Sequence, residues 1–257
     1  MANYLFLHAH PDDEAIFTGG IIRQLVDNNN NVTIVFATGG ELGTKQDPNS
    51  DLQNIRKYET QKAGEILGVQ KIEYLKYHDS GLIESEFPQN AFATCNIENA
   101  SKKLNEMIED NEIDILICDD EYGIYGHPDH KQAHRIGTHC TTLKNSRIKE
   151  LYFSTVDREY LHFVETHLVE EANSAISIFD LANKTMGMSS VEITHTLNIS
   201  NTIEVKRRAM RAHSSQINDT SSALTLSDEE FSAVYGYEWL IKSDKNSTLN
   251  SLLKYCI

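Results

Sequence analysis

Short apolar runs alternate along the first 155 residues with longer segments of mixed polarity. Five runs have the length and composition of buried strands: 4–9, 32–37, 72–77, 113–118 and 151–155. Helical spacing of apolar residues marks the segments between them: 15–26, 52–67, 98–110 and the stretch that begins near 129. Strands that are apolar throughout are typical of parallel sheets covered on both faces. The alternation therefore predicts an α/β fold, Rossmann-like, with a mostly parallel sheet flanked by helices.

The pattern weakens in the C-terminal part of the chain. Three elements are predicted there, two helices and a late strand: 203–212, 227–234 and 237–241. No repeat and no low-complexity linker separates one part of the chain from another. We therefore expect a single domain over 1–257, formed by a Rossmann-like core (1–157) and a smaller C-terminal elaboration (158–257).

The balance of charge narrows the class of partner. The chain has 23 lysines and arginines against 38 aspartates and glutamates, a formal net charge of −15. Because binding to nucleic acid or to an anionic membrane needs clustered lysines and arginines, neither is expected as the main partner. A small anionic substrate held by one or two local arginines remains compatible with this balance.

The cysteines and the hydropathy pattern bear on the compartment. Cys95, Cys118, Cys140 and Cys256 include no CxxC pair, which indicates reduced, structural thiols. The first apolar run has no basic segment before it and no cleavage site after it. No apolar run approaches the ~20 residues needed to cross a bilayer. A cytoplasmic protein without a membrane anchor is the expectation.

Two loops at the carboxyl ends of predicted strands carry dense clusters of titratable residues. In open parallel sheets, ligands bind outside these strand ends. The first loop, 10–14 (HPDDE), follows the first strand. The alternative to metal binding is that Asp12 or Asp13 caps the following helix. A cap accounts for one carboxylate and leaves His10 and the second carboxylate unexplained.

The second loop, 125–130 (YGHPDH), follows the fourth strand. Taken alone, it could equally be an ordinary loop with Asp129 as a helix cap. Strands one and four flank the switch point of a doubly wound sheet, so that their loops can meet. His10, Asp13 and His130 then supply two imidazoles and one carboxylate, which is the ligand set of a catalytic zinc with a position open for water.

The paired segments HPDDE and GHPDH resemble the PIG-L/LmbE-like N-acetylglucosamine deacetylase superfamily. The resemblance covers 3–140 and continues into 206–216 (KRRAMRAHSSQ). It implies a hydrolase that removes an N-acetyl group from a small amino sugar or glycoconjugate. Members of the superfamily often self-associate, which leaves a homo-oligomer as an alternative to a monomer.

The resemblance also implies roles for individual residues. The implied zinc ligands are His10, Asp13 and His130. Asp12 corresponds to the general base, and His127 to the group that stabilises or protonates the tetrahedral intermediate. Tyr125 matches a tyrosine beside the same site, with packing on the adjacent helix as the alternative. Glu14 is expected to orient a ligand histidine.

Three further residues are candidates for binding the substrate. Arg56 matches the arginine of an RxxE helix and could bind a sugar hydroxyl or a phosphate; the alternative is a solvated helix arginine. Asp79 matches an aspartate that binds sugar hydroxyls, against a simple Asp-Ser-Gly turn. Glu41 in the TGGE loop is a weaker candidate of the same kind.

Zinc is the expected cofactor, and ferrous iron is the alternative because two imidazoles and a carboxylate also suit it. A nucleotide-binding Rossmann module is disfavoured, since HPDDE occupies the position where a GxGxxG turn would follow the first strand. Two alternatives to N-deacetylation stay open. They are a metal-dependent amidase acting on another acyl or thiol-conjugate amide, and a non-catalytic metal-binding relative.

Overall fold

Seven strands form one sheet, in the order β3-β2-β1-β4-β5-β7-β6. The structure, a computed structural model, describes residues 1–44, 49–168, 186–219 and 221–243. The strands are β1 (Asn3–His8), β2 (Asn31–Thr38), β3 (Lys71–Tyr77), β4 (Ile115–Asp119), β5 (Glu150–Thr155), β6 (His195–Asn198) and β7 (Tyr237–Lys242). The helices are α1 (Asp13–Phe17), α2 (Gly19–Asp27), α3 (Leu52–Leu67), α4 (Ile97–Asp110), α5 (Pro128–Thr141), α6 (Arg158–His167), α7 (Ile203–Ala212), α8 (Ser222–Thr225) and α9 (Asp228–Tyr235).

The first five strands are parallel, and the predicted Rossmann-like class is confirmed. β1 lies between β2 and β4, with Phe6 paired to Ile34 on one side and to Ile117 on the other. The strand order reverses at β1 and β4, as the sequence predicted. The loops that follow these two strands therefore open into the same crevice.

Alternate residues of β1 enter two separate hydrophobic clusters, one on each face of the sheet. Tyr4 and Phe6 belong to the face covered by α1, α2, α3, α7 and α9. Leu5 and Leu7 belong to the opposite face, which α4 and α5 cover. Burial on both faces explains why the strand is apolar at every position rather than at every second one.

The single helix predicted over 15–26 is interrupted at Thr18, where α1 ends and α2 begins. Two buried side chains from the C-terminal part of the chain satisfy the backbone at the break. Lys206 Nζ donates to the carbonyl of Ile16 at 2.7 Å. Glu238 accepts two backbone N–H groups at the start of α2, and Lys206 Nζ lies 2.6 Å from its Oε1. Both partners are about 200 residues away, which is why local spacing did not predict the break.

The C-terminal elements confirm three predictions and add three. α7, α9 and β7 occupy the predicted places, and β7 runs antiparallel to β5 and β6. The sequence did not predict α6, β6 or α8. Among the described ranges, no helix has both the length and the apolar character needed to cross a membrane. The division of the chain at residue 157 stays a prediction.

The three cysteines that the structure describes, Cys95, Cys118 and Cys140, are free thiols, as expected. Burial raises the pKa of Cys140 to about 12. The fourth, Cys256, lies outside the described residues.

Candidate metal centre and active site

The loops after β1 and β4 bring His10, Asp13 and His130 together at the carboxyl edge of the sheet. Asp13 Oδ2 lies 3.3 Å from His130 Nε2 and 3.6 Å from His10 Nδ1. The two imidazole rings have their centroids 5.3 Å apart. All three side chains are buried. The convergence of two loops that are more than a hundred residues apart agrees with the sequence analysis.

Two of the three distances among these groups fit a shared metal ion. Ligand atoms ~2.0–2.1 Å from a tetrahedral zinc are separated by about 3.3–3.4 Å from one another. The two carboxylate–imidazole distances are close to this value. Ligand atoms of His10, His127 and His130 also lie within 4.8 Å of one another, and so do those of His10, Asp79 and Asp129. Among the described residues, both of these groups include His10, and neither includes Asp13.

The charge distribution around His10 also favours a cation. Burial alone would lower the pKa of His10, but hydrogen bonds to Asp129, Asp13 and Asp79 raise it well above its ordinary value. Burial alone would raise the pKa of Asp13, but His130 and His10 hold it well below its usual range. A site that stabilises positive charge among buried carboxylates suits a divalent ion, which would replace the imidazole proton.

Asp119, at the end of β4, is a residue of the site that the sequence analysis missed. Its Oδ2 lies 2.9 Å from His130 Nδ1, and its Oδ1 lies 3.9 Å from His8 Nδ1. A carboxylate against the second nitrogen of a metal-binding histidine fixes the ring orientation and leaves the other nitrogen for the metal. Its position as the last residue of a buried strand, next to Asp120, was the available signal.

Asp12 is held apart from the ligand cluster in an unusual backbone conformation. Its φ is 97°, which L-residues rarely adopt, and its N–H donates to Glu14 Oε2 at 2.9 Å. Arg56 Nη2 donates to Asp12 Oδ2 at 3.0 Å. Burial raises the pKa of Asp12 to about 6, although Arg56 opposes the shift. A carboxylate with this pKa can accept a proton near neutral pH.

Arg56 contacts the protein at three points. It donates to the carbonyl of Gly40 at 2.7 Å and to the carbonyl of Pro11, in addition to Asp12. Gly40 has a φ of 63°, and a Cβ there would come within 2.4 Å of the guanidinium. The glycine therefore makes room for a buried arginine that positions Asp12. The solvated helix arginine considered as an alternative is wrong, because Arg56 is 3% exposed.

Asp79 and Glu41 lie next to each other, but they face different cavities. Asp79 accepts the N–H groups of Leu42 and Gly81 at 3.2 and 2.9 Å, and its Oδ1 lies 3.5 Å from His10 Nε2. Glu41 Oε1 accepts the N–H of Asp79 at 3.0 Å. Asp79 lines the cavity above the candidate metal ligands, whereas Glu41 lines a neighbouring one.

His127, and not Asp129, caps α5. Its Nδ1 accepts the N–H of Asp129 at 3.1 Å, which places the proton of the neutral ring on Nε2. Burial and the rings of His10 and His130 lower the pKa of His127 to about 3. Asp129 instead accepts from the N–H of Ser80 at 3.0 Å and from its hydroxyl, and lies 3.1 Å from His10 Nε2. The alternative role of Asp129 as a helix cap is therefore wrong.

Tyr125 combines the two roles considered for it. Its hydroxyl lies 3.1 Å from His130 Nε2. Its ring stacks on Phe17 of α1, with centroids 6.3 Å apart. The tyrosine therefore forms a wall of the site while its ring packs on the first helix.

The segment after α7 braces the catalytic loops from the C-terminal side. His213 Nε2 lies 2.6 Å from Glu14 Oε1. Glu14 thus holds the backbone of Asp12 and does not orient a ligand histidine, so that expectation is wrong. Gln216 exchanges two hydrogen bonds with the backbone of Thr44, at 2.9 and 3.0 Å. The AHSSQ stretch was noted in the sequence, but its partners could not be deduced from it.

A cavity of about 600 Å³ opens above these residues. Six of its lining residues are candidates for metal binding, catalysis or substrate binding: His10, Asp12, Arg56, Asp79, Tyr125 and His127. The volume is in the range of small-molecule sites. The walls also include three apolar side chains, Leu42, Leu82 and Ile83. The polar side chains suit a ligand with several hydroxyl groups, and we call this space the polar cavity.

The chain is similar to proteins of known activity. Residues 5–141 match the family profile described as PIG-L: GlcNAc-PI de-N-acetylase. A 1D-myo-inositol 2-acetamido-2-deoxy-alpha-D-glucopyranoside deacetylase from Nocardiopsis dassonvillei is 29% identical, covering 88% of this chain and 88% of the relative.

Two solved structures share the fold. N,N'-diacetylchitobiose deacetylase from Pyrococcus horikoshii has a TM-score of 0.64 at 20% identity, covering 93% of this chain and 83% of that one. The 4-carboxy-2-hydroxymuconate hydratase GalB from Pseudomonas putida has a TM-score of 0.62 at 14% identity, covering 97% and 99%. A deacetylase and a hydratase thus share this fold, and the reaction has to be argued from the site.

Proposed function

Because the chain belongs to the PIG-L family, we propose that it is a metal-dependent hydrolase that removes the N-acetyl group of an amino sugar. The proposal rests on one observation. His10, Asp13 and His130 come together beside Asp12, a carboxylate that is not among the proposed metal ligands. The relatives that match along most of the chain are deacetylases of an N-acetylglucosaminyl-inositol. This is the substrate class that we assign.

Zinc is the metal we propose, with His10, Asp13 and His130 as its ligands. When bound, such an ion would polarise the scissile carbonyl and lower the pKa of a water molecule toward ~7. Two imidazoles and one carboxylate with an open position are typical of catalytic zinc, and ferrous iron is the alternative that metal analysis distinguishes.

Asp12 transfers the proton, and His127 stabilises the oxyanion. Asp12 accepts a proton from the attacking water as the new C–O bond forms at the acetyl carbon. His127 donates a hydrogen bond from Nε2 to the oxyanion, because its Nδ1 is already occupied by the N–H of Asp129. The proton on Asp12 then passes to the amine nitrogen as the C–N bond breaks. Tyr125 bounds the site on the side of His130, whose Nε2 lies 3.1 Å from the tyrosine hydroxyl.

The polar cavity would hold the sugar. Asp79 presents a carboxylate edge to it, and carboxylates accept hydrogen bonds from sugar hydroxyls. Arg56 lines the same cavity while it is bonded to Asp12, so that it contributes to both binding and positioning. Glu41 acts through Asp79, whose N–H it accepts.

The test combines metal analysis with a measurement of amine release. The purified protein is assayed on N-acetylglucosaminyl-inositol and N-acetylglucosamine, before and after chelation and after addition of zinc or ferrous iron. His10→Ala should lose the metal, and Asp12→Asn should keep it while losing activity. Asp110→Asn, at the exposed end of α4, is the matched control. Activity like that of the wild type in both site variants would refute the mechanism. A metal-loaded protein that is inert on all acetamides would be a non-catalytic relative.

A further inference from the structure

A second cavity lies against the same catalytic carboxylates. It has a volume of about 300 Å³, and Asp12, Asp13 and Tyr125 are among the residues that line it. Its remaining walls are mostly apolar side chains: Ile16, Phe17, Met210, Ile217, Ala223 and Tyr235. We call it the apolar chamber. The mechanism above assigns no role to it.

The apolar chamber and the polar cavity meet at the reacting position. Asp12, Tyr125 and Gln216 line both of them. Asp13 lines only the apolar chamber, and His127 and Asp79 line only the polar cavity. A group bound at Asp12 can therefore extend into a polar space and into an apolar one.

The two halves of an N-acyl amino sugar differ in the same way. The amine half carries hydroxyl groups, whose burial without hydrogen bonds is unfavourable, so it suits the polar cavity. The acyl half ends in hydrocarbon, which is favourably removed from water. With the amine half in the polar cavity, the carbonyl at Asp12 directs the acyl group toward the apolar chamber.

We propose that the apolar chamber is an acyl-binding pocket and that the enzyme hydrolyses amides of amino sugars with acyl chains longer than acetyl. This proposal rests on the proposed function. The step itself is the same hydrolysis. Water adds its oxygen to the acyl carbon, the C–N bond breaks, and the products are a free amine and the carboxylic acid of the chain. The proton from water reaches the amine through Asp12.

The volume sets the length of chain that fits. A dry apolar cavity of about 150 Å³ holds one benzene molecule. The apolar chamber has about twice this volume, so a linear chain of about six carbons fits within it. Burial of each methylene group should improve binding by up to about fourfold.

The experiment compares a series of glucosamine amides on the zinc-loaded enzyme: acetyl, propionyl, butyryl and hexanoyl. We expect kcat/KM to hold or to rise along the series, mainly through a lower KM. A fall of tenfold or more between acetyl and butyryl, with acetyl hydrolysed normally, overturns the acyl pocket alone. Failure to hydrolyse every member, acetyl included, overturns the proposed function and the pocket with it.

Substitutions in the wall of the apolar chamber test its location. Ala223→Leu fills it and should lower kcat/KM for the hexanoyl amide by at least about tenfold while acetyl hydrolysis changes by less than about twofold. Met210→Ala enlarges it and should shift the preference toward the hexanoyl amide. Ala212→Leu, the same substitution outside this wall, is the matched control.

Equal losses on short and long amides in Ala223→Leu, with no change of preference in Met210→Ala, would show that the chamber does not hold the acyl chain. Should Ala223→Leu fail to fold, Met210→Ala decides by the ratio of hexanoyl to acetyl activity. An unchanged ratio overturns the proposal, and a raised ratio supports it.

Discussion

His213 Nε2 lies 2.6 Å from Glu14 Oε1, although the two residues are 199 positions apart in the chain. Glu14 uses its second oxygen to accept the N–H of Asp12, whose φ is 97°. Each residue in such a backbone conformation raises the free energy of the folded state by about 1–3 kcal/mol, and the conformation persists where surrounding contacts hold it. The pair of His213 and Glu14 thus acts with Arg56 to keep Asp12 in position.

Replacing His213 by Gln should lower kcat more than it changes KM. Gln216 and Glu59 still anchor the segment after α7, so the fold should survive. The carboxylate of Glu14 would be held less firmly, and a misplaced catalytic group costs up to about 10²-fold in rate. Steady-state kinetics with a metal assay measure this effect. His162→Gln, on the exposed side of α6, is the control, and a change confined to KM would contradict the positioning role.

The stability that His213 contributes should depend on pH. Burial alone would lower its pKa, but the carboxylates of Glu14 and Asp12 raise it above its ordinary value, against an opposing effect of Arg56. A pKa raised in the folded state gives stability that is complete below the unfolded pKa and is lost as the pH rises through the folded pKa. Wild type should therefore exceed His213→Gln in free energy of unfolding by more at pH 6 than at pH 9. Urea titrations at both pH values provide the measurement; a larger difference at pH 9 would contradict it.

Substitution of Arg56 distinguishes between two roles, the positioning of Asp12 and the binding of substrate. Arg56→Lys keeps the positive charge but cannot reach Gly40, Pro11 and Asp12 together. If the guanidinium positions Asp12, kcat should fall by about 10- to 100-fold with KM nearly constant. Arg135→Lys on α5 serves as the control. A raised KM with unchanged kcat would instead make Arg56 a substrate ligand alone.

Asp119→Asn should weaken metal binding without unfolding the protein. The carboxylate lies 2.9 Å from His130 Nδ1, and loss of such a partner typically costs 10–100-fold in metal affinity. Competition with a chelator of known affinity measures the change, and excess zinc should restore part of the activity. Asp114→Asn, just before the same strand, should bind zinc as the wild type does. Equal zinc affinity in Asp119→Asn and wild type would remove Asp119 from the site.

Lys206→Met should destabilise the fold by about 3–5 kcal/mol, because it leaves Glu238 buried without its cation. Both side chains of this pair are 1% exposed. Lys102→Met breaks the exposed pair with Glu98 and should cost less than about 1 kcal/mol. Urea unfolding of the two variants makes the comparison. Similar losses of unfolding free energy in both variants would show that burial of the pair of Lys206 and Glu238 is unimportant.

The sequence predicted those parts of the site that depend on neighbouring residues and on sheet topology. His10, Asp13 and His130 follow two strands whose order was predictable, so their meeting could be expected before any coordinates. The short strand β6 could not be predicted from the sequence, because four residues carry too little periodicity. Its pairing partner, β7, lies some forty residues later in the chain.

The residues that support the site were hidden for a related reason. Glu14 looked like a partner of a nearby histidine, since sequence analysis sees only its neighbours. In the structure its partner is His213, which lies 199 positions later in the sequence. Asp119 was inconspicuous because a terminal aspartate on a strand has many ordinary roles. Long-range electrostatic pairing, and not local propensity, decides these positions.

The interruption between α1 and α2 has a consequence for synthesis. The carbonyl of Ile16 and two N–H groups at the start of α2 bond to the side chains of Lys206 and Glu238. A chain emerging from the ribosome carries this break for some two hundred residues before those side chains exist. The two helices can therefore gain these partners only after β7 has begun to emerge.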